Sequence, residues 1–343
     1  MTQVALFGAG RIGQIHACNL AALPGVQLRY ICDPLAPGAE ALAHKLGARR
    51  VAVEEALGDP AIAAVVIASP TTTHCNLILR AAEAGKHIFC EKPVDLSVAR
   101  AEACATAVVR AGVACMIGFQ RRFDPTFSAL HMRLRNGEIG VPEVLNITSR
   151  DPAPPPVEYL KQSGGMFRDM LIHDFDVFRW LLCDEGRDEA VWLSATGACL
   201  TNPAIAQAGD IDTTLVSIRT RSGRLCQINA SRRAAYGYDQ RFEVLGSKGL
   251  LLAGNLRPTE VLAMDAAGVR TDNPEAFFLE RYREAYRFEM AYFFKQLQAA
   301  RNGGDGSFRT SIHDGVAAQR LADAAALSFA SGQPVTFAAP EGR

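Results

Sequence analysis

Four apolar residues, Val4-Ala5-Leu6-Phe7, run directly into Gly8-Ala9-Gly10-Arg11-Ile12-Gly13. A stretch with helical spacing, Gln14 to Leu23, follows and stops at Pro24-Gly25. A short buried strand, a G-x-G-x-x-G turn and a helix, in that order, open a parallel βαβ unit. Each glycine has its own task. The first permits the tight turn, the second lets backbone approach a pyrophosphate, and the third lets helix and strand pack closely. The helix N-terminus then faces the phosphates. Glycine loops are common turns, so it is the flanking strand and helix that give this one its meaning.

The alternation continues. Strands are expected at Leu28–Cys32, Ala64–Ala68, His87–Cys90 and Cys115–Phe119. Helices are expected at Ala39–Leu46, Thr73–Ala84 and Ser97–Ala111, closed by Gly47, Gly85 and Gly112. Strands alternating with helices make a doubly wound parallel sheet. Near residue 120 the pattern changes. A helix at about Thr126–Asn136 precedes a strand, Glu143–Arg150, and a Pro-rich loop, Pro152–Pro156, leads to one helix from Gly165 to Leu182. Strands then follow without helices between them, at Val191–Thr196, Thr213–Thr220, Arg224–Ser231, Gln240–Val244 and Gly249–Leu252, which predicts an open, mostly antiparallel sheet. Two helices, Glu280–Ala300 and Ile312–Ser331, close the chain. The fold class is therefore α/β, with an N-terminal doubly wound domain (1–119) and a C-terminal α+β domain (120–343). A C-terminal helix is expected to pack back on the first domain. A length of 343 residues suits two such domains.

Asp33 ends the second strand, 20 residues after Gly13. A carboxylate there accepts both ribose hydroxyls of NAD and repels the 2′-phosphate of NADP, and Pro34-Leu-Ala-Pro37 supplies no cation to hold that phosphate. NAD is the expected cofactor; the bland alternative is an aspartate that caps a turn. Lys+Arg and Asp+Glu are both 36, a balance with no electrostatic footprint for nucleic acid or for a membrane surface. No apolar run reaches bilayer length, and the chain enters its first strand with no basic leader. The nine cysteines are dispersed with no C-x-x-C pair, which reads as reduced thiols of a cytoplasmic protein.

Two segments carry chemistry. Glu91-Lys92-Pro93 follows a buried strand at the carboxyl edge of the sheet, where open α/β folds bind ligands. Lys92 there can donate to a substrate hydroxyl, or it is a surface lysine in a turn. On the helix from Gly165, Asp169 and His173 stand four residues apart on one face, and Asp176 continues it. An Asp beside a His fixes its tautomer and raises its basicity, and alcohol oxidation needs such a base. A capped or solvated polar face is the alternative. No second His or Cys cluster completes a metal shell, and no metal is expected.

Taken together, these segments resemble the glucose-fructose oxidoreductase/inositol dehydrogenase family over nearly the whole chain. The resemblance rests on G-A-G-R-I-G, Ser69-Pro-Thr-Thr-Thr-His74, Glu91-Lys-Pro93, Gly118-Phe-Gln-Arg-Arg-Phe-Asp124, and the helix opened by Gly164-Gly165 with Arg168-Asp169 and His173. Arg121-Arg-Phe-Asp124, Ser149-Arg150-Asp151-Pro152 and Tyr236-Gly-Tyr238-Asp239 are most similar to bacterial inositol 2-dehydrogenases. The resemblance implies a catalytic trio of Lys92, Asp169 and His173, with His173 as base, Asp169 orienting it and Lys92 binding the reacting oxygen. It implies a polyol site lined by Arg122, Asp151, Asp176 and Tyr236. It implies an NAD site made by Gly8, Gly10, Arg11, Ile12 and Asp33, with Ser69, His74, Glu91, Lys92 and Gln120 near the cofactor. The implied reaction is NAD-dependent oxidation of a cyclitol, first of all myo-inositol to 2-keto-myo-inositol (scyllo-inosose). Oxidation of scyllo-inositol or a pyranose sugar is the related alternative, and a non-enzymatic NAD-binding sensor the alternative of another class. Some relatives carry Asn where Asp151 stands, and an acid cannot donate as an amide does. The family also implies a homotetramer built through the open sheet.

Overall fold

The computed structural model describes residues 1–183, 187–303 and 307–337. The chain divides into two compact units, one of Met1–Phe123 with Ala285–Gln319, the other of Asp124–Glu284 with the chain from Arg320 onward.

The first unit is built on β1 (Thr2–Phe7), β2 (Val26–Cys32), β3 (Arg49–Arg50), β4 (Ile62–Ile67), β5 (His87–Glu91) and β6 (Cys115–Gly118). All pair in parallel, in the order β3-β2-β1-β4-β5-β6. The connections include α1 (Arg11–Ala22), α2 (Ala36–Leu46), α3 (Val53–Gly58), α4 (Thr71–Glu83) and α5 (Val98–Ala111). Helices on both faces require strands with no polar side, and β1 and β4 accordingly bury Val4, Leu6, Val65 and Val66 completely. The strand order reverses between β1 and β4, which opens a crevice outside their carboxyl ends. The core is completed by α11 (Arg283–Arg301), far along the chain. Its Met290, Phe293, Phe294 and Leu297 join Val4, Leu6, Phe89 and Met116 in one cluster. Each such side chain contributes roughly 1.5–3 kcal/mol by burial.

The second unit carries a seven-stranded sheet ordered β12-β11-β7-β10-β9-β8-β15. Its strands are β7 (Pro142–Arg150), β8 (Ala190–Ala198), β9 (Thr213–Thr220), β10 (Leu225–Ser231), β11 (Asp239–Gly246), β12 (Gly249–Ala253) and β15 (Val335–Thr336). Only β7 and β10 pair in parallel; the sheet is otherwise antiparallel. Burial alternates with period two along β9 and β10, so one face is core and the other open. On the open face the register aligns Leu225, Val144, Leu245 and Leu250 in a row across four strands. The unit also holds α6 (Pro125–Arg135), α7 (Val157–Ser163), α8 (Ile172–Leu182), α9 (Pro203–Gln207), α10 (Phe278–Arg281) and the exposed hairpin β13 (Leu262–Asp265)–β14 (Gly268–Thr271). The last helix, α12 (Ile312–Ser331), runs through the division at Gln319. Asp124 caps α6 by accepting the Phe127 N–H at 3.0 Å, and its carboxylate forms a buried ion pair with Arg281.

The α/β expectation with a mixed second sheet holds, and the structure corrects it in detail. The segment from Gly165 to Leu182 is not one α-helix. It opens as a π turn, Met166–Met170, closed by Leu171 N–H to Met166 C=O at 3.1 Å, before α8 begins. Two successive positive-φ glycines, Gly164 and Gly165, set up that turn, and a Cβ on Gly165 would stand 2.9 Å from Asp210 Oδ1. Asp169 and His173 therefore lie on different helical geometries, not on one regular i, i+4 face. The Glu280–Ala300 helix is also split, into α10 and α11. Among the described residues no helix is long and apolar enough to cross a membrane. All nine cysteines are free thiols, and seven are buried. Burial pushes the pKa of Cys32 and Cys115 up to about 12, the reverse of what a thiolate nucleophile needs.

Candidate active site

In the first unit, residues with a proposed role gather at the carboxyl ends of five parallel strands: Gly8 after β1, Asp33 after β2, Ser69 after β4, Glu91 and Lys92 at β5, and Gln120 after β6. The glycine loop distinguishes its three glycines. A Cβ on Gly8 (φ +102°) would meet Ala68 O at 2.5 Å, and one on Gly13 would meet Gly8 O at 2.1 Å. Both positions are closed to any side chain. A Cβ on Gly10, which is exposed, would have nothing within 4 Å. Gly10 is the N-cap of α1; no side chain caps it, and no acid stands in the first turn. Backbone N–H groups of a helix start, open space above the N-cap and no acid in the first turn are what a phosphate seat requires. Arg11 is exposed and Ile12 half-buried at the same helix start. Asp33 accepts the Ala9 N–H at 2.7 Å and the Leu35 N–H at 2.8 Å, which fixes its carboxylate beside the loop. These residues fit a dinucleotide. A cation absent from the local sequence does arrive here: Arg50 of β3 donates to the Asp33 carbonyl (3.3 Å) and to Glu40 (3.3 Å).

His74 organises the Lys92 turn from beneath. Its Nδ1 lies 2.7 Å from Pro93 O and its Nε2 2.9 Å from Ser69 O, so the ring ties the loop after β4 to the turn after β5. Burial, the largest influence, lowers its pKa, and nearby Lys92 works in the same direction against the two carbonyls. The Lys92–Pro93 peptide is cis, and Lys92 is half-buried. Glu91 lies over Gly118, where a Cβ would stand 3.1 Å from its carboxyl group. Its Oε1 bonds His16 Nε2 at 2.7 Å. Glu289 of α11 completes a buried trio with them, and neither of its carboxyl oxygens has a hydrogen-bond partner. Burial first, then the charge of Glu91, pushes the Glu289 carboxyl well above the usual range. Only His16 and Glu91 are hydrogen-bonded to each other; the Glu289 carboxyl lies within 4.8 Å of both. Gln120 and Arg122 lie in a buried 3-10 turn, Gln120–Phe123. Arg122 donates to the Arg309 carbonyl (2.6 Å) and pairs with Asp314 (3.2 Å).

In the second unit, Asp151 follows β7, Arg232 follows β10, Asp210 precedes β9 and Tyr236 precedes β11. The register places all four at one end of the sheet. Asp169 of the π turn accepts the Tyr159 hydroxyl at 2.9 Å and lies 3.5 Å from Arg232 Nη2. His173 is half-buried and Asp176 fully buried on α8. The Tyr236 hydroxyl donates to Asp239 (2.5 Å) and accepts from Arg150 (2.8 Å). Tyr159, Asp210, Arg232, His16 and Glu289 were not marked by the sequence. Glu289 left a trace, since it falls on the buried face of α11, three residues after Tyr286 and four before Phe293.

The profile described as "Oxidoreductase family, NAD-binding Rossmann fold" matches residues 2–119, and the GFO/IDH/MocA C-terminal domain matches residues 127–252. Inositol 2-dehydrogenase of Rhizobium meliloti is 45% identical over 335 residues, 97% of this chain and 98% of its own. The chain belongs to the GFO/IDH/MocA oxidoreductase family. Another relative, scyllo-inositol 2-dehydrogenase (NAD(+)) of Bacillus subtilis, is 40% identical over 96% of this chain and 95% of its own. Among solved structures, a myo-inositol dehydrogenase from Corynebacterium glutamicum superposes with a TM-score of 0.92 at 44% identity, covering 99% of both chains. Family membership makes the glycine loop and Asp33 parts of an NAD-binding Rossmann fold, and the chain an NAD-dependent oxidoreductase.

Proposed function

We propose that this protein oxidises a secondary alcohol of a cyclitol with NAD, and that its substrate is myo-inositol, converted to scyllo-inosose. The observation that carries the reading is end-to-end similarity to a named inositol 2-dehydrogenase, at 45% identity over 98% of its length. NAD, once bound, supplies the acceptor for the hydrogen and electron pair that leave the carbinol carbon. The protein's residues manage the proton. His173 takes it from the hydroxyl, Asp169 orients the imidazole and balances the charge it gains, and Lys92 donates to the reacting oxygen as it becomes a carbonyl. Arg122, Asp151, Asp176 and Tyr236 are proposed to line the polyol site. Arg122 and Tyr236 already hold protein partners, so reaching substrate would mean sharing those donors. Ser69, Glu91 and Gln120 belong to the cofactor side, where His74 acts through the turn it clamps.

Substituting Lys92 or His173 by Ala should abolish NADH formation, followed by absorbance, while NAD still binds. Wild-type turnover in both variants would sink the assignment. Scyllo-inositol is the second reading, favoured by the 40% identical Bacillus subtilis relative. A panel of inositol isomers and aldoses, ranked by kcat/KM, decides between them. The aliphatic row Leu225–Val144–Leu245–Leu250 on the open sheet face supports self-association, and we assign it to a homotetramer in the cytoplasm. Replacing Leu245 by Glu should lower the mass measured by light scattering.

A further inference from the structure

Asp169 is held by groups that the proposed reaction does not name. Arg232 is among the largest fully buried side chains of the described residues, at 1% exposure. A guanidinium cannot shed its charge, so burying one requires anions. Two stand within ion-pair reach of its Nη2: Asp169 Oδ2 at 3.5 Å and Asp210 Oδ2 at 3.7 Å. Neither contact is a hydrogen bond, and Arg232 Nε and Nη2 have no such partner. Asp210 is anchored separately, since its Oδ1 accepts the Met166 N–H at 2.9 Å and it packs against Gly165. One aspartate thus pins the start of the π turn, the arginine pins the aspartate's neighbour, and the π turn carries Asp169 between them. From α7 the half-exposed Tyr159 donates its hydroxyl to the other oxygen, Asp169 Oδ1. Asp151 adds negative charge near Tyr159. In the π turn itself, Arg168 is paired with Asp323 at 2.6 Å.

We propose that Arg232 and Tyr159 are positioning residues of the reaction: they fix Asp169, one partner on each oxygen, as an anion of set orientation. The proposal rests on the reading that Asp169 and His173 do the acid–base work. Without Arg232, Asp169 and Asp210 are neighbouring acids with no cation between them, and they repel. Without the Tyr159 hydroxyl, Asp169 loses the hydrogen bond that fixes its Oδ1. Either change frees the carboxylate to turn, and a carboxylate out of place no longer orients His173.

The test uses the full-length enzyme and four variants: Tyr159→Phe, Arg232→Gln, Arg232→Lys and Asp169→Asn. The expected result is a kcat about tenfold lower in Tyr159→Phe and Arg232→Gln, with KM for the polyol little changed. Arg232→Lys, which keeps the charge, restores most of that kcat. NAD affinity, measured by calorimetry, stays at the wild-type value throughout. Tyr159 is half-exposed, so Tyr159→Phe tests the idea even if Arg232→Gln does not fold. If Asp169→Asn abolishes turnover while Tyr159→Phe keeps the wild-type kcat, the inference fails and the catalytic reading stands. If Asp169→Asn turns over normally, the catalytic reading fails, and the inference with it.

Discussion

Gly10→Ala should separate the fold of the glycine loop from its use. Gly10 has φ −68° and ψ −169°, extended backbone open to any residue, and its added Cβ would meet nothing within 4 Å. The methyl therefore causes no internal clash. Alanine is a poorer N-cap than glycine by a few tenths of a kcal/mol, while the less flexible unfolded chain returns about 0.4–1 kcal/mol. The net change in stability is within about 0.5 kcal/mol, a shift of about 2 °C or less in the melting midpoint. Binding is another matter. The methyl occupies the space through which a pyrophosphate must reach the helix N–H groups. Losing one charge-assisted hydrogen bond there costs about 1.5–3 kcal/mol, so NAD should bind about 10- to 150-fold more weakly. Gly13→Ala is the opposite case. Its Cβ would lie 2.1 Å from a backbone oxygen, so the loop itself must move and the midpoint should fall along with the affinity. Scanning calorimetry and NAD titration on both variants make the comparison. A Gly10→Ala protein that binds NAD like wild type would refute the placement of the phosphate seat.

Three further outcomes follow from neighbouring features. Asp33→Ser should raise the NADP-to-NAD ratio of kcat/KM at least about tenfold, because it removes the repelling carboxylate while Arg50 remains at the Asp33 carbonyl. Adding Arg50→Ala should reverse that gain, and its persistence would show that Arg50 plays no part. Arg281→Ala should destabilise the second unit by about 3–5 kcal/mol in urea unfolding, since it strands the buried Asp124; a loss below about 1 kcal/mol would contradict this. Glu289→Gln should match wild type near pH 4, where both folded and unfolded chains hold the proton. Above that, only the unfolded wild-type chain ionises, because the folded carboxyl has its pKa raised by burial. Wild type then loses about 1.4 kcal/mol per pH unit relative to the variant until pH passes the folded pKa. A stability gap independent of pH would show that Glu289 is ionised in the fold.

The elements legible in the sequence are those whose apolar pattern answers to a local period. β1, β4 and β5 read directly because a parallel sheet covered on both faces needs uninterrupted apolar runs, and β9 and β10 read because one open face imposes alternation. The π turn was hidden because its cause is tertiary: Gly165 leaves room for an aspartate from a loop 45 residues later, Asp210. The site divides in the same way. Gly8, Gly10, Gly13 and Asp33 are set by one βαβ unit and could be placed by spacing. Arg232 and Tyr159 act on Asp169 from a strand end and a seven-residue helix, and neither position carries a pattern. Arg50 was missed because β3 lies beside β2 in space and 17 residues beyond Asp33 in the chain.

The contribution of α11 to the first unit has a consequence for how this protein comes off the ribosome. The six strands of that unit are complete once Gly118 has been made, yet Met290, Phe293 and Leu297, which close its core, are encoded after six of the seven strands of the second sheet. At about 5–20 residues per second, roughly 9–36 s pass between the two. For that interval the nascent nucleotide-binding sheet presents Leu6, Phe89 and Met116 with their cover missing, a natural target for chaperones. The second unit waits longer still, because its edge strand β15 and the chain from Arg320 onward follow α11. Each unit is interrupted in the chain by the other, so neither closes in simple N-to-C order as it leaves the ribosome.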